Sequence, residues 1–270
     1  MRGVGRPPTP TLPRKGGGGK AASIPSPAPS PSPLAGEGRG GGNLSAAQTC
    51  PHCRKPTALC VCAAIAPIAT RAQLVILQHP QEQDHALGTG FLAHRQFANS
   101  RLVIGLSWPS LAAVLARPTA DARRWGVLYL GPVKLVPLKP PAGPRRLLSV
   151  VGPDGVPVAD QDHILAALDG VLLLDGSWSQ AKALWWRNPW MLKLRRLVLA
   201  PPRPALYGAL RKEPRADSVS TIEAAAWCLA ALEGDEAMVG RALAPLVSLL
   251  ERHGRRPATR APDRRRRIHH

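Results

Sequence analysis

The sequence predicts an α/β fold: a mostly parallel sheet with helices on both faces. Two observations carry this. From about residue 73, strand-like and helix-like segments alternate. The strand-like segments are also continuous apolar runs, as expected of strands buried on both sides.

Each element follows in order. "QLVILQH" (73–79) is a strand, "ALGTGFLAHRQFAN" (86–99) a helix, "RLVIGLS" (101–107) a strand and "PSLAAVLAR" (109–117) a short helix. "WGVLYLG" (125–131) is a third strand, and the Pro- and Lys/Arg-rich stretch 132–146 is a loop. "GVLLLDG" (170–176) is a strand leading into a helix over about 178–188, and "RRLVLAP" (195–201) is another strand. "STIEAAAWCLAALEG" (220–234) and "EAMVGRALAPLVSLLERHG" (236–254) close the pattern as helices.

The flanks differ from this middle. Residues 1–46 hold nine prolines and eleven glycines, too little apolar surface to offset the cost of ordering, so disorder is expected; a start site further downstream would leave part of it untranslated. Residues 253–270 form a basic tail that includes Arg264 to Arg267. The chain of 270 residues carries 36 Lys+Arg against 17 Asp+Glu, a formal charge of +19, of which +8 falls in 47–250. A polyanion such as RNA is the natural partner, although a basic tail can also be mere solvated surface. No run of eighteen apolar residues suggests a membrane span, and no apolar signal-peptide core is visible near the N-terminus, so cytoplasm is the expected compartment.

"CPHCRKPTALCVC" places Cys50, Cys53, Cys60 and Cys62 within thirteen residues. Four thiolates at this spacing can surround one Zn²⁺ with no open position, which predicts a small structural zinc element; His52 is an alternative ligand. Cys228, alone in a helical pattern, reads as a small core residue.

Three polar clusters fall at strand ends or helix starts, where parallel sheets bind ligands. Asp175 ends an apolar strand. It caps the next helix, or Ser177 does and leaves Asp175 to the ligand edge. Ser220 and Glu223 match a capping box, and a helix start also suits a ligand carboxylate. His79 ends the first strand, followed by Glu82, His85, Thr89 and Gly90. Trp178 is a stacking surface or a core anchor; most of Trp185, Trp186 and Trp190 are expected in the core. Arg145, Arg146, Arg187, Lys193, Arg195 and Arg196 are candidates for phosphate contact.

Together these segments resemble the DTW-domain family of tRNA-uridine aminocarboxypropyltransferases. The resemblance spans about 48–252 and rests on the four cysteines; His79, Pro80 and Glu82; Thr89 and Gly90; Asp175, Ser177 and Trp178; Asn188 and Pro189; and Ser220, Thr221, Glu223 and Ala224. Ser177 stands where the family usually has threonine. The resemblance implies domain limits of 47–252 and an α/β fold related to the SPOUT methyltransferases, knotted near the C-terminus. It implies S-adenosylmethionine as donor, transfer of its 3-amino-3-carboxypropyl group to N3 of a tRNA uridine (acp3U), and release of 5′-methylthioadenosine. Asp175, with Ser177 and Trp178, is then the catalytic group. His79, Glu82, Thr89, Gly90, Ser220, Thr221 and Glu223 would hold the donor. Two alternatives stand beside it: a SPOUT-like RNA methyltransferase, which would release S-adenosylhomocysteine, and a non-enzymatic zinc-bearing RNA-binding module.

Overall fold

A computed structural model describes residues 49–83, 85–118, 121–128, 146–207 and 219–254. Two compact units are distinguished, Met1–Asn43 and Leu44–His270. All the described residues belong to the second unit. The first unit, the basic tail from 255 and most of the 132–146 loop lie outside them.

The strands are β1 (Gln73–Gln78), β2 (Ser100–Ile104), β3 (Trp125–Leu128), β4 (Leu148–Val151), β5 (Gly170–Asp175) and β6 (Arg195–Leu199). The helices are α1 (Gly90–Gln96), α2 (Leu111–Leu115), α3 (Gln161–Ala166), α4 (Trp178–Arg187), α5 (Thr221–Glu233) and α6 (Ala237–Gly254). The sheet has six strands in the order β2-β1-β5-β3-β6-β4, all parallel except the antiparallel edge pair β4–β6. The predicted α/β class with a mostly parallel sheet is what forms. β4 and α3 have no counterpart in the sequence reading. β4 is a four-residue edge strand, and no residue of α3 is buried, so neither carries a strong periodic signal.

The period of two along the central strands divides the core. Leu74, Ile76, Val171 and Leu173 face one side, with α1, α5 and α6 packed over them. Val75, Leu77 and Leu172 face the other, where Leu111, Val114 and Leu115 of α2 cover them together with Met191 and Leu194. Helices therefore lie on both faces. By the same parity the side chains of Gln78 and Asp175, which sit opposite each other in register, point to the α1/α5 face.

β1 and β5 are neighbours whose onward connections part company. From β1 the chain passes through α1 to β2 on one side; from β5 it passes through α4 to β6 on the other. This is a topological switch point, where the carboxyl ends of two strands open a crevice between diverging connections. Gln78 and Asp175 are the last residues of those strands.

Asn188 fixes the far end of α4. It is fully buried, donating from Nδ2 to the Leu184 and Leu106 carbonyls (2.7 and 3.0 Å) and accepting at Oδ1 from the N–H of Trp108 (2.8 Å). Pro189 then opens a tight turn over Pro189–Lys193. Removing this amide leaves several buried polar groups without partners, so Asn188→Ala is expected to cost at least about 2 kcal/mol, read by denaturant unfolding.

Candidate active site

Asp175 is the centre of the site. Only 6% exposed, its carboxylate accepts from Gln78 Nε2 (2.7 Å) at Oδ2 and from the Thr221 hydroxyl at Oδ1. Its own carbonyl accepts from the His79 N–H (2.9 Å). Gly90, the first residue of α1, lies against the carboxylate: a Cβ there would sit 2.2 Å from Oδ2. The starts of α1 and α5 thus converge on one buried acid, as the partial positive charge of helix N-termini favours.

Ser177 resolves which group caps α4. Its hydroxyl accepts from the Gln180 N–H (3.4 Å), and Gln180 Oε1 accepts from the Ser177 N–H (2.6 Å), a complete capping box. The cap is Ser177, and Asp175 turns to the opposite side of the sheet. Trp178, half-buried, is the first residue of α4.

Thr89 and Thr221 join the two helix starts. Thr89 is buried, and its hydroxyl accepts from the Ile222 N–H (3.4 Å). Glu223 is 1% exposed and engaged at both oxygens: Oε1 accepts from the Leu206 N–H (2.8 Å), Oε2 from the Ser220 N–H and hydroxyl (3.0 and 2.6 Å). The Glu223 N–H is directed at Ser220 Oγ. The capping box is therefore real, and it uses Glu223 to hold the segment before α5. His79 and Glu82 flank the crevice on the short turn after β1, where His79 Nδ1 accepts from the Gln81 N–H (3.3 Å).

Two residues that the sequence did not single out belong here. Gln78 is 2% exposed; its amide nitrogen is spent on Asp175, and its Oε1 has no partner among the described residues. A buried acceptor without a donor costs free energy unless a ligand supplies one. Lys55 is 3% exposed and donates to the His85 carbonyl (3.2 Å) and the Gly88 carbonyl. Burial pulls its ammonium down to about 8, against the pull of Cys53 and Asp175 in the other direction.

Lys55 comes from the cysteine element, which thereby braces the loop entering α1. Arg54 adds to this, its guanidinium 4.3 Å from the centre of the Phe91 ring. Arg54 adopts a left-handed backbone (φ 54°) that turns the knuckle between Cys50 and Lys55. The four sulfurs lie within 4.8 Å of one another, with Cys50–Cys62 at 3.5 Å and Cys53–Cys60 at 3.8 Å. A tetrahedral zinc with bonds of about 2.3 Å sets its sulfurs roughly 3.8 Å apart, so the donor set fits one metal ion. Backbone N–H groups of Cys53 and His52 draw the Cys50 thiol down to about 6, toward the thiolate a metal binds. Cys228 is fully buried in the core and its thiol is raised by burial.

Residues 47–253 match the family model described as the DTW domain. The chain belongs to the DTW domain family. Among curated relatives, a Drosophila melanogaster protein named tRNA-uridine aminocarboxypropyltransferase 2 is 30% identical over 204 residues, 74% of this chain and 72% of the relative. The proteins of the same name from Mus musculus and Macaca fascicularis are each 24% identical. The alignments take in 74% of this chain but 61% of those relatives, so it spans less than two thirds of their length. No solved structure gives a significant match. The family resemblance drawn from the motifs is thus matched by the family model and by the names of the relatives.

Two outcomes test the site as built. Gly90→Ala should destabilise the protein by about 1–3 kcal/mol, because neither the buried acid nor the helix start can retreat; the drop in Tm checks it. Protein purified without chelator should carry about one zinc per chain by elemental analysis, and Cys53→Ser should lose both the metal and thermal stability.

Proposed function

We propose that this DTW-domain protein is a tRNA-uridine aminocarboxypropyltransferase. On this reading it transfers the 3-amino-3-carboxypropyl group of S-adenosylmethionine to N3 of a tRNA uridine, forming acp3U. The observation that carries the reading is the convergence of Asp175, Gln78, Gly90 and Thr221 at the switch point of the sheet. The names of the relatives supply the reaction. We extend the reading to a SPOUT-like fold; residues 208–218, in the connection that would form its knot, lie outside the described residues. No helix among the described residues is long and apolar enough to cross a membrane, and the cytoplasm is the compartment we propose.

Uridine N3 is a poor nucleophile while it carries its proton. Asp175 is the group placed to take that proton, a general-base role worth typically about 10²–10⁴ in rate. Gln78 and Thr221 hold the two carboxylate oxygens at fixed positions, so the base does not reorganise as the proton moves. Gln78 Oε1 is an acceptor for a donor on the substrate side, such as the ammonium of the transferred group. S-adenosylmethionine, when bound, supplies a methylene whose bond to sulfur breaks with the electron pair leaving as 5′-methylthioadenosine. Which carbon on sulfur reacts is set by placement, since reacting atoms must approach to about 3–3.5 Å. On this reading the turn carrying His79 and Glu82 and the start of α5 at Thr221 contact the donor. Ser220 and Glu223 act by fixing the helix start, and Trp178 stands at the start of α4.

Purified protein, S-adenosylmethionine and unmodified tRNA should yield acp3U and methylthioadenosine, read by nucleoside mass spectrometry and chromatography of the small molecules. Asp175→Asn should lower the rate by about 10²–10⁴ with the fold retained. A methylated nucleoside with S-adenosylhomocysteine would overturn the chemistry, and wild-type turnover by Asp175→Asn would overturn the base.

A further inference from the structure

α4 carries an unexpected surface. Trp186 is 79% exposed, while Trp125 is buried and Trp185 and Trp190 pack against the core. Leu192, in the turn after α4, is 56% exposed. Ser179, Lys182 and Trp186 are all exposed, and their spacing of three and four places them on one face of the helix. That face begins in the first turn of α4, where Gln180 Nε2 donates to Gln81 Oε1 (3.1 Å) in the turn after β1. Seven residues separate Ser179 from Trp186, a rise of roughly 10 Å, about three spacings of 3.4 Å along a nucleic-acid strand.

The segment that carries this face is basic. From Gly176 to Leu199 the sequence holds Lys182, Arg187, Lys193, Arg195 and Arg196 and no acid. Lys182, Arg187 and Lys193 are exposed. The backbone that carries the indole is anchored as well, because Asn188 locks the end of the helix to the loop after β2 and Ser107 donates to the Arg187 carbonyl (3.1 Å).

We propose that Trp186 is a stacking platform for an unpaired nucleobase of the RNA substrate, with Lys182, Arg187 and Lys193 holding the adjoining phosphates. This rests on the transferase acting on tRNA and adds where that RNA lies: over the sheet edge and along the outer face of α4. A flat, rigid aromatic between cations is the arrangement that binds single-stranded nucleic acid without sequence readout. A second copy of the chain is a poorer occupant. A two-fold contact would press this patch against itself and bring its cations together with no acid to answer them.

The test uses the full chain and unmodified tRNA, with binding read by fluorescence anisotropy at several salt concentrations, apart from turnover. Trp186→Ala should weaken binding about tenfold or more and leave the salt slope unchanged, and Trp186→Phe should recover most of the loss. Lys182→Ala should lower the salt slope by about one contact. The rate at saturating tRNA should stay at the wild-type value in all three, since none touches the reacting atoms. If the wild type forms acp3U but Trp186→Ala binds tRNA as tightly, the platform is overturned and the transferase reading stands. If no acp3U forms but Trp186→Ala still weakens binding, the platform stands and the transferase reading falls. A dimer that Trp186→Ala converts to monomer, with unchanged tRNA affinity per chain, would assign the patch to self-association and overturn the proposal.

Discussion

A carboxylate buried at the end of a central strand is the constraint around which this structure is arranged. Asp175 cannot shed its charge to solvent, so the protein must supply donors, and it draws them from distant parts of the chain. Gln78 arrives through strand register and Thr221 from the start of α5, while the absence of a side chain at Gly90 leaves room for the carboxylate. Lys55 adds a positive charge from the cysteine element. An acid with only a structural purpose would be replaced more cheaply by an apolar residue of similar volume. Its position at the switch point, beside an amide oxygen with no partner among the described residues, is the basis of the catalytic role proposed for it.

The cysteine element gains a purpose from the same constraint. It is too small to hold its own core, and Cys53, Leu59 and Val61 are buried in the main one. Its Lys55 and Arg54 grip the loop and first turn of α1, the turn that presents Gly90 to Asp175. A metal among the four sulfurs would act at a distance, by stiffening the knuckle that holds the crevice wall.

The parts visible in the sequence are those whose signal is local. Continuous apolar runs announce β1 and β5, and the Ser-x-x-Glu pattern announces the start of α5. Cysteine spacing announces the cluster. Gln78 and Lys55 escape because their meaning is set by partners far along the chain. Gln78 looks like the polar end of a strand until register places it opposite a residue ninety-seven positions away. Lys55 looks like a turn residue until it is buried in a loop thirty residues on. The Trp185–Trp186 pair shows the limit differently: adjacent helical positions point about 100° apart, so one of two identical residues enters the core and the other does not.

The serine in "DGSW" illustrates how a motif can vary while its helix cap is kept. Ser177 departs from the threonine usual in the family, and the motif alone would place that change beside Asp175. The structure gives the hydroxyl a narrower task, to accept the Gln180 N–H at the start of α4, and serine and threonine do this almost equally well. That cap is also what releases Asp175 from capping, so its side chain turns toward α1 and α5 instead. Glu223 performs the matching service at α5, with Ser220, and is consumed by it. Thr221, the next residue, then has its hydroxyl available for Asp175. Two capping boxes thus take up the needs of two helix starts and leave one acid, one amide and one threonine at the crevice. Those three are hydrogen-bonded to one another, and Gln78 Oε1 is the acceptor left over among the described residues.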